Sequence, residues 1–490
     1  MTLLRSRLFN ITNSKSLGLL LFILLALMTA FLLATPKRLL SNPLTLTSKP
    51  PGNTNEAIRF QGKLSQSKFV QGANGAVYLE VSIDPPKIVG SNTSTDATDM
   101  VIILDRSGSM SEDNKMTYAK AAIQDVLSQL DQNDRFALIG FSDSAILHSR
   151  LVAVTDAQRA RLNAIVNSVK VGGGTNLGAS LTLAHQLTSE PSPNRRRKIL
   201  LLSDGQTNQG IVDPAQLAKL ATQLAQKESV MSTIGMGLGF NETLMASLAD
   251  HGMGNYSYLE SLAGLDQVLA KDLTDTRQIY ATSSYLDLKL SEGVRLIDAG
   301  GYPITHEVDG KPLSRVTTGQ LLAGTKKHFF VTLEFPTQRI DTITLAKATL
   351  GYQRHGQNHS LPMASKTLRI AVLETEKKEE AVASIEDTVY KNSWLQNNLG
   401  LMKRKLSASI RSGDKKQAKK IISEYRHSIN KAASESNVSL PSAKLDDALK
   451  NMDEQIEQSF SGSRSEQEVK RNRTAKSMQL DSRMDQRTTH

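Results

Sequence analysis

Apolar and polar positions in the middle of the chain follow two alternating periods. From residue 98 to 278, short apolar runs typical of buried strands alternate with stretches whose apolar residues recur every three or four positions, as in amphipathic helices. The first predicted strand ends at Asp105. The other strands are predicted at 135–141, 145–153, 198–203, 229–236 and 255–259, and the helices at 115–130, 156–168, 176–188, 214–226, 241–250 and 261–276. This alternation predicts an α/β fold, a doubly wound and mostly parallel sheet with 145–153 as an antiparallel edge strand.

Residues on both flanks of this region alternate with a period of two, which is typical of strands with one buried face. The early strands are predicted at 58–62 and 76–83, and similar strands return only after residue 282. A two-stranded hairpin is marginal in water, so the early strands need partners. We therefore predict a β-sandwich built from 57–95 and 279–375, with the α/β domain, 96–278, inserted into it. The alternative is that 57–85 extend the central sheet.

The region 376–460 has helical periodicity. Apolar residues recur at steps of three and four in three segments, predicted as helices at 382–410, 415–433 and 441–460. Such helices either pack on one another as a bundle or present a coiled-coil surface to a partner or a second copy. Residues 461–490 are polar and charged with few large apolar side chains, which predicts a disordered basic tail.

Residues 17–34 form an uncharged, mostly apolar run that predicts a membrane-spanning helix. The run is 18 residues long and as a helix would span about 27 Å, enough for a bilayer core. Its basic flanks are Arg5, Arg7 and Lys15 before it and Lys37 and Arg38 after it. We expect a signal anchor over 1–38 with the body exported, followed by a linker rich in Pro, Ser and Thr over 39–56. The alternative is a signal peptide that is cleaved.

Composition narrows the function classes. The chain has no cysteine, which excludes disulfides, thiolate metal sites, cysteine nucleophiles and a lipoprotein anchor. The net charge of +11 is spread along the chain and predicts a solvated surface with charges that flank a membrane span. No zinc-finger or RNP-type spacing is present, so a nucleic-acid partner is not expected. The basic run 195–198 is expected to be a solvated strand entry, with an anionic docking patch as the alternative.

Candidate chemistry lies at the end of the first central strand. Asp105 ends the apolar run, and hydroxyls follow at Ser107 and Ser109. Open α/β sheets bind ligands at the carboxyl ends of their strands. A carboxylate with two hydroxyls is a set of hard oxygen ligands, suited to Mg²⁺ or Ca²⁺ and unsuited to zinc.

The segment resembles the D-x-S-x-S motif of the von Willebrand factor type A (VWA) domain, and its bacterial membrane-anchored members in particular. The family's pattern also needs a later threonine and a later aspartate, which Thr175 and Asp204 supply in order. The resemblance implies a Rossmann-like fold with strand order 3-2-1-4-5-6 and an intact metal-ion-dependent adhesion site for Mg²⁺, Mn²⁺ or Ca²⁺. It implies Ser107 and Ser109 as direct ligands, Thr175 as direct or water-bridged, Asp105 and Asp204 as charge donors, and a partner protein's Asp or Glu at the open position.

Each of these residues has a simpler interpretation, because Ser and Thr cap helices and Asp-Gly makes turns. The five together favour a metal site. No catalytic residues are expected: the chain has no P-loop, no G-x-S-x-G around Ser107 or Ser109 and no H-E-x-x-H. We therefore expect a membrane-anchored protein that binds a partner through a divalent ion, in adhesion, assembly or a scaffold. The alternatives are an accessory subunit of an ATPase or chelatase machine and an ion-channel-related protein.

Overall fold

The computed structural model describes residues 57–87, 97–190, 192, 195–364, 368–440 and 443–489. The predicted anchor at 17–34 and the linker at 39–56 lie outside these ranges. Among the helices of the described ranges, none combines the length and the apolar character needed to cross a bilayer.

Three strands precede the central domain, namely β1 (Arg59–Leu64), β2 (Lys68–Val70) and β3 (Ala76–Asp84). β1 and β3 pair antiparallel. Val77, Leu79, Val81 and Ile83 of β3 are fully buried, while the residues between them are partly exposed. The period of two in the sequence therefore corresponds to one buried face of a strand.

Six strands form the central sheet: β4 (Ala97–Asp105), β5 (Arg135–Phe141), β6 (Ala145–Ala153), β7 (Arg195–Ser203), β8 (Ser229–Met236) and β9 (Met253–Leu259). Their order is β6-β5-β4-β7-β8-β9, which is the 3-2-1-4-5-6 order implied by the resemblance. Neighbours are parallel except for the edge strand β6, which pairs antiparallel with β5. The order places β4 beside β7 at the centre of the sheet.

Six helices cover the sheet: α1 (Lys115–Gln129), α2 (Asp156–Ser168), α3 (Leu177–Leu187), α4 (Pro214–Gln226), α5 (Glu242–His251) and α6 (Leu265–Arg277). They enclose two apolar cores, one on each face. Met100, Ile102 and Leu104 of β4 belong to one core, and Val101 and Ile103 belong to the other. Because both faces are covered, the strand is a continuous apolar run.

The chain then completes a β-sandwich with β10 (Ile279–Leu290), β11 (Arg295–Ala299), β12 (Ile304–Thr305), β13 (Ser314–Leu322), β14 (Lys327–Glu334), β15 (Asp341–Arg354), β16 (Gln357–Pro362) and β17 (Leu368–Leu373). One sheet has the order β1-β3-β14-β11, and the other has the order β12-β13-β10-β15-β17-β2. Leu79 of β3 lies opposite Val331 of β14. Strands from both flanks therefore share one sandwich core, into which the central domain is inserted.

Helices follow the sandwich: α7 (Lys378–Ala383), α8 (Asp387–Asn392), α9 (Leu399–Ser412), α10 (Lys415–Ser436), α11 (Ala443–Ser459) and α12 (Arg464–Gln486). The apolar faces of α9 to α12 share one core, against which Tyr390 of α8 packs. These faces are therefore covered within the chain, and a coiled-coil surface is not supported. The single helix predicted at 382–410 is interrupted after Ala383 and by a π-helical segment, Ser393–Asn398. Val389 and Leu395 are six residues apart, a spacing that a regular helix does not keep on one face, and the π segment includes Leu395.

The structure differs from the predicted disordered tail, because α12 lies within 461–490. Ser463 and Glu466 form a capping box at its start. Met478 is 3% exposed in the core of the helical region, and the ammonium of Lys476 lies 2.8 Å from a carboxylate oxygen of Glu242. Much of the contact between this helix and the central domain is made by ion pairs. A polar composition with weak apolar periodicity gave no sign of them.

The basic run 195–198 also differs from prediction, because it is not solvated. Lys198 is fully buried, and its Nζ lies 2.7 Å from an oxygen of Asp272 on α6. Arg195 donates a 2.6 Å hydrogen bond to the fully buried carboxylate of Asp99. The prediction was wrong because each cation finds an acceptor that is distant in the sequence, and a paired charge can be buried where an isolated one cannot.

Candidate metal centre

Two aspartates lie at the same edge of the central sheet. Asp105 is the last residue of β4, and Asp204 follows Ser203, the last residue of β7. β4 and β7 are parallel, with Leu104 opposite Leu202, so both strands end at this edge. Asp105 is 0% exposed and Asp204 is 1% exposed. The strand pairing therefore brings together two buried carboxylates that are far apart in the sequence.

The carboxylate of Asp105 is held by two hydrogen bonds. Its Oδ1 accepts from the backbone N–H of Ser107 at 2.8 Å, and its Oδ2 accepts from the hydroxyl of Ser203 at 2.6 Å. Burial raises the pKa of Asp105 above its ordinary value. The hydrogen bonds from Ser107 and Ser203 oppose this rise, and the nearby negative charge of Asp204 adds to it. A cation bound between the two carboxylates would relieve this unfavourable arrangement.

The predicted serines connect the two aspartates. They lie where β4 leads into a 3₁₀ segment, Gly108–Asn114. The Ser107 and Ser109 hydroxyl oxygens are 3.2 Å apart, and Ser109 donates a 2.8 Å hydrogen bond to Oδ1 of Asp204. Oxygens from both strands thus form a continuous polar chain at the sheet edge.

Thr175 reaches the same place from the loop before α3. A Cβ atom built on Gly205 would lie 3.2 Å from Oγ1 of Thr175 and 3.5 Å from Oδ2 of Asp105. Both oxygens therefore face the small space that the missing side chain leaves. The backbone N–H of Thr175 donates to Oδ1 of Asn208 at 2.9 Å, which fixes this loop to the segment after β7. All five predicted residues meet at one edge of the sheet.

The glycine-rich loop before Thr175 is shaped by close backbone approaches. Gly173 has a φ of 86°, which favours glycine, and its carbonyl accepts from the N–H of Gly108 at 3.1 Å. A Cβ on Gly173 would lie 2.4 Å from a carboxylate oxygen of Asp143. Asp143 also accepts from the N–H of Gly174 at 2.7 Å. The loop is thus pinned against the strand ends that carry the site.

Sequence analysis missed Lys115, the first residue of α1. Its ammonium lies 2.7 Å from Oδ2 of Asp204 and 3.3 Å from the carbonyl oxygen of Ser109, and its side chain is only 8% exposed. Lys115 lies four residues before Ala119, which begins the predicted apolar stripe of this helix. A helical period of 3.6 places both residues on the buried face, and this spacing was the available signal.

The donor set can be tested against a metal ion. It consists of three hydroxyls and two carboxylates, which are hard oxygen ligands of the kind that Mg²⁺, Mn²⁺ and Ca²⁺ prefer. Across the described ranges, no group of three or more His, Asp or Glu side chains is arranged to hold a metal. The predicted site contains only two carboxylates, and its other three oxygen donors are hydroxyls. The residues present therefore fit a hard divalent cation.

A family model supports the identification of the central domain. The von Willebrand factor type A domain matches residues 100–206, which include all five residues of the site. The match agrees with the strand order and with the position of the site. The chain contains a von Willebrand factor type A domain.

Relatives and solved structures extend the comparison. The chain is 27% identical over 286 residues to the uncharacterized protein YfbK of Escherichia coli K12, covering 56% of this chain and 47% of that protein, about half its length. A von Willebrand factor type A structure from Catenulispora acidiphila aligns with a TM-score of 0.65 at 16% identity, over 88% of this chain and 97% of that one. The ArnB paralog VWA2 from Sulfolobus acidocaldarius aligns with a TM-score of 0.51 at 18% identity, over 86% and 98%. At these identities the structural likeness concerns the fold alone.

Proposed function

We propose that this chain is a membrane-anchored protein that binds a partner protein through a divalent metal ion, in adhesion, assembly or a scaffold. The observation that carries the proposal is the convergence of three hydroxyls and two buried carboxylates at one sheet edge. Mg²⁺ is the ion we favour, with Mn²⁺ and Ca²⁺ as alternatives of similar ligand preference.

The geometry supports distinct roles for the site residues. Neighbouring oxygens around Mg²⁺ lie about 3 Å apart, so the 3.2 Å between the Ser107 and Ser109 hydroxyls suits two direct ligands. Thr175 would be a direct or water-bridged ligand. Asp105 and Asp204 would balance the charge of the ion, directly or through water.

The open coordination position of a bound ion favours an acidic partner. The two carboxylates balance the charge of a dication, and the buried ammonium of Lys115 lies beside Asp204, with the exposed carboxylate of Glu112 3.7 Å from it. A bound divalent ion supplies a positive centre with an open coordination position. A partner's Asp or Glu side chain would fill that position.

We propose binding and not catalysis for this site. Within the described residues, the hydrogen-bond partners of the Ser107 and Ser109 side chains are a hydroxyl and a carboxylate, and no imidazole is among them. A serine nucleophile needs an adjacent general base that can accept its proton. A carboxylate that holds a metal ion does not serve that purpose.

A capture experiment tests metal-dependent binding. The purified body of the protein is immobilised, and proteins retained in Mg²⁺ and released by EDTA are identified by mass spectrometry. We expect Asp105→Ala to abolish EDTA-sensitive capture, because it removes one of the two charges that hold the ion. Ser111→Ala is the matched control, since that exposed hydroxyl donates only to the carbonyl of Gly108 in the neighbouring turn. Equal EDTA-sensitive capture by wild type and Asp105→Ala would refute the proposal.

The membrane part of the proposal rests on the apolar run 17–34 and its basic flanks. We propose that this run stays in the membrane and that the body is exported. Protease added to spheroplasts should digest the body. Full protection would refute the orientation, and recovery of a chain that begins near Thr35 would refute the anchor.

A further inference from the structure

A cavity of about 450 Å³ lies where the central domain, the sandwich and the last helix meet. β9 and α6 of the central domain line one side, β13 and the start of β14 line another, and α12 lines the third. It is remote in the fold from the candidate metal centre, and none of the five metal-site residues lines it.

Two arginines, one in α12 and one directly after it, enclose one carboxylate in the cavity wall. Arg483 donates to Oδ2 of Asp250 at 2.8 Å and also to Oδ1, and Arg487 donates to Oδ1 at 2.6 Å. Burial alone would raise the pKa of Asp250, but the charges of Arg487 and Arg483 outweigh it and hold this pKa far below its ordinary value. Asp250 is therefore ionised, and it balances only one of the two guanidiniums.

Two more cations add to this excess. Lys327 donates to the carbonyl oxygens of Thr318 and Gln320, the latter at 2.8 Å, and no carboxylate of the described chain lies within ion-pair distance of it. Arg404 lies near the same group and has Asp298 as its carboxylate partner, at 3.9 Å. These four cations share Asp250 and Asp298, and Arg404 itself does not line the cavity. Asp272 and Asp275 also line it, but each is paired with a lysine, Lys198 and Lys271. The described groups around the cavity therefore carry an excess of positive charge.

Arg483, Arg487 and Lys327 line the cavity, and Arg487 also donates to the carbonyl oxygens of Gly300 and Gly301. The side chains of Arg483 and Arg487 are 15% and 13% exposed, although protein surrounds them on most sides. Arg487 lies 4.0 Å from the ring centroid of Tyr302, and the ammonium of Lys327 lies 5.8 Å from it, so both cations gather around one aromatic ring. Burial and the charge of Arg487 lower the pKa of Lys327 to about 7, which is the response of a cation that lacks an anion.

The cavity wall also contains polar groups without partners. The side-chain oxygens of Gln320 and Tyr256 are buried and have no hydrogen-bond partner among the described residues, and each residue is only 6% exposed. Met253 adopts a left-handed backbone conformation there, with a φ of 62°. Unsatisfied buried groups and backbone strain are uncommon in a purely structural interface and are concentrated at ligand sites.

We propose that this cavity binds a small dianion, namely phosphate or the phosphate group of a small monoester. Its negative charge matches the excess of cations around the cavity, and its oxygens accept from guanidinium and ammonium donors. The tyrosine hydroxyl can donate to the ligand as well. A volume of about 450 Å³ has room for a small phosphorylated metabolite. Binding there would hold α12 against β9 and β13, since the ligand would contact all three elements.

The proposal is tested by calorimetry on the purified body of the protein, with inorganic phosphate and glycerol 3-phosphate as separate probes and chloride at matched ionic strength as the blank. We expect wild type to bind at least one phosphate probe. Lys327→Met keeps the aliphatic stem and should weaken binding at least tenfold, whereas Lys327→Arg keeps the charge and should retain it. Lys326→Met, an exposed neighbour, is the matched control and should bind as wild type does.

Circular dichroism of each variant establishes that it is folded before binding is compared. Tighter binding of glycerol 3-phosphate than of phosphate supports a monoester as the ligand, and equal binding supports free phosphate. The proposal is overturned if wild type binds neither probe above the chloride blank, or if folded Lys327→Met binds as well as wild type. If Lys327→Met does not fold, Lys327→Arg decides the matter, because loss of binding in that folded variant also overturns the proposal.

Discussion

Replacing Asp105 with asparagine should change stability in opposite directions with and without metal. Asn keeps the shape of the side chain and can still accept from the Ser107 N–H, while Ser203 can accept from its amide. The raised pKa of Asp105 means that the folded state holds this proton more tightly than the unfolded state. Its contribution to stability is favourable at low pH and is lost as pH rises from about 3.9, the unfolded value, through the folded pKa. At pH 7 without metal, the ionised carboxylate therefore costs stability.

The expected magnitudes follow from this linkage. In EDTA at pH 7, Asp105→Asn should unfold at the same temperature as wild type or a higher one, and the difference should vanish in acid. At a Mg²⁺ concentration of 100 times Kd, wild type should gain about 2.7 kcal/mol of unfolding free energy. For a compact unit of this length that gain corresponds to a rise in Tm of roughly 3 °C. Asp105→Asn should gain little, because it lacks a charge that holds the ion.

Differential scanning calorimetry below about pH 3.9 and at pH 7, in EDTA and in a series of Mg²⁺ concentrations, measures both effects. Ser111→Ala is again the control and should follow wild type throughout. A clear loss of stability in metal-free Asp105→Asn at pH 7 would contradict the argument that this carboxylate is strained without a cation. An equal Mg²⁺ response in wild type and Asp105→Asn would exclude the site as the place where the ion binds.

Three further outcomes are expected. Thr175→Val should weaken Mg²⁺ binding modestly in calorimetry and reduce partner capture much further, because we expect the hydroxyl to contact the ion mainly in the partner-bound state. Capture equal to that of wild type would show that the hydroxyl has no such role. Lys115→Met should bind Mg²⁺ more tightly, because it removes a competing cation 2.7 Å from Asp204, and weaker binding in a folded variant would contradict this. Lys198→Met should lower the unfolding free energy by about 3–5 kcal/mol in urea titration, because it leaves a buried carboxylate unpaired. Lys420→Met, which removes an exposed pair with Glu424, should cost less than about 1 kcal/mol, and similar costs for the two would refute the burial argument.

The sequence alone was sufficient to predict the elements of the central domain and the position of Asp105, Ser107 and Ser109 at the end of a strand. A strand buried on both faces must be apolar throughout, and a helix that packs on a sheet must have one apolar stripe. The residues of β4 and α1 themselves therefore predict each element. The sandwich strands alternate between apolar and polar residues because only one of their faces is buried. Asp105, Ser107 and Ser109 are close in sequence, and the resemblance supplied Thr175 and Asp204.

Only the tertiary structure determines which charged side chains are buried and which are solvated. Lys115 and Lys198 are buried because each meets a carboxylate from another part of the chain, Asp204 and Asp272. The sequence shows that a residue is charged, but it does not show whether an oppositely charged residue lies next to it in the fold. Long side chains can be either solvated or paired, and the two outcomes leave the same local sequence.

The last helix shows the same limit most clearly. Its sequence is polar enough to predict disorder, yet Lys476 meets Glu242, and Arg483 with Arg487 encloses Asp250. These partners lie more than 200 residues away in the sequence. Buried apolar residues recur with the period of the helix or strand, so a short stretch of sequence is enough to predict them. An ion pair depends instead on which distant part of the chain packs against the charged residue. Whether such a polar segment is ordered therefore depends on the folded structure, because the fold determines which charged residues lie next to it.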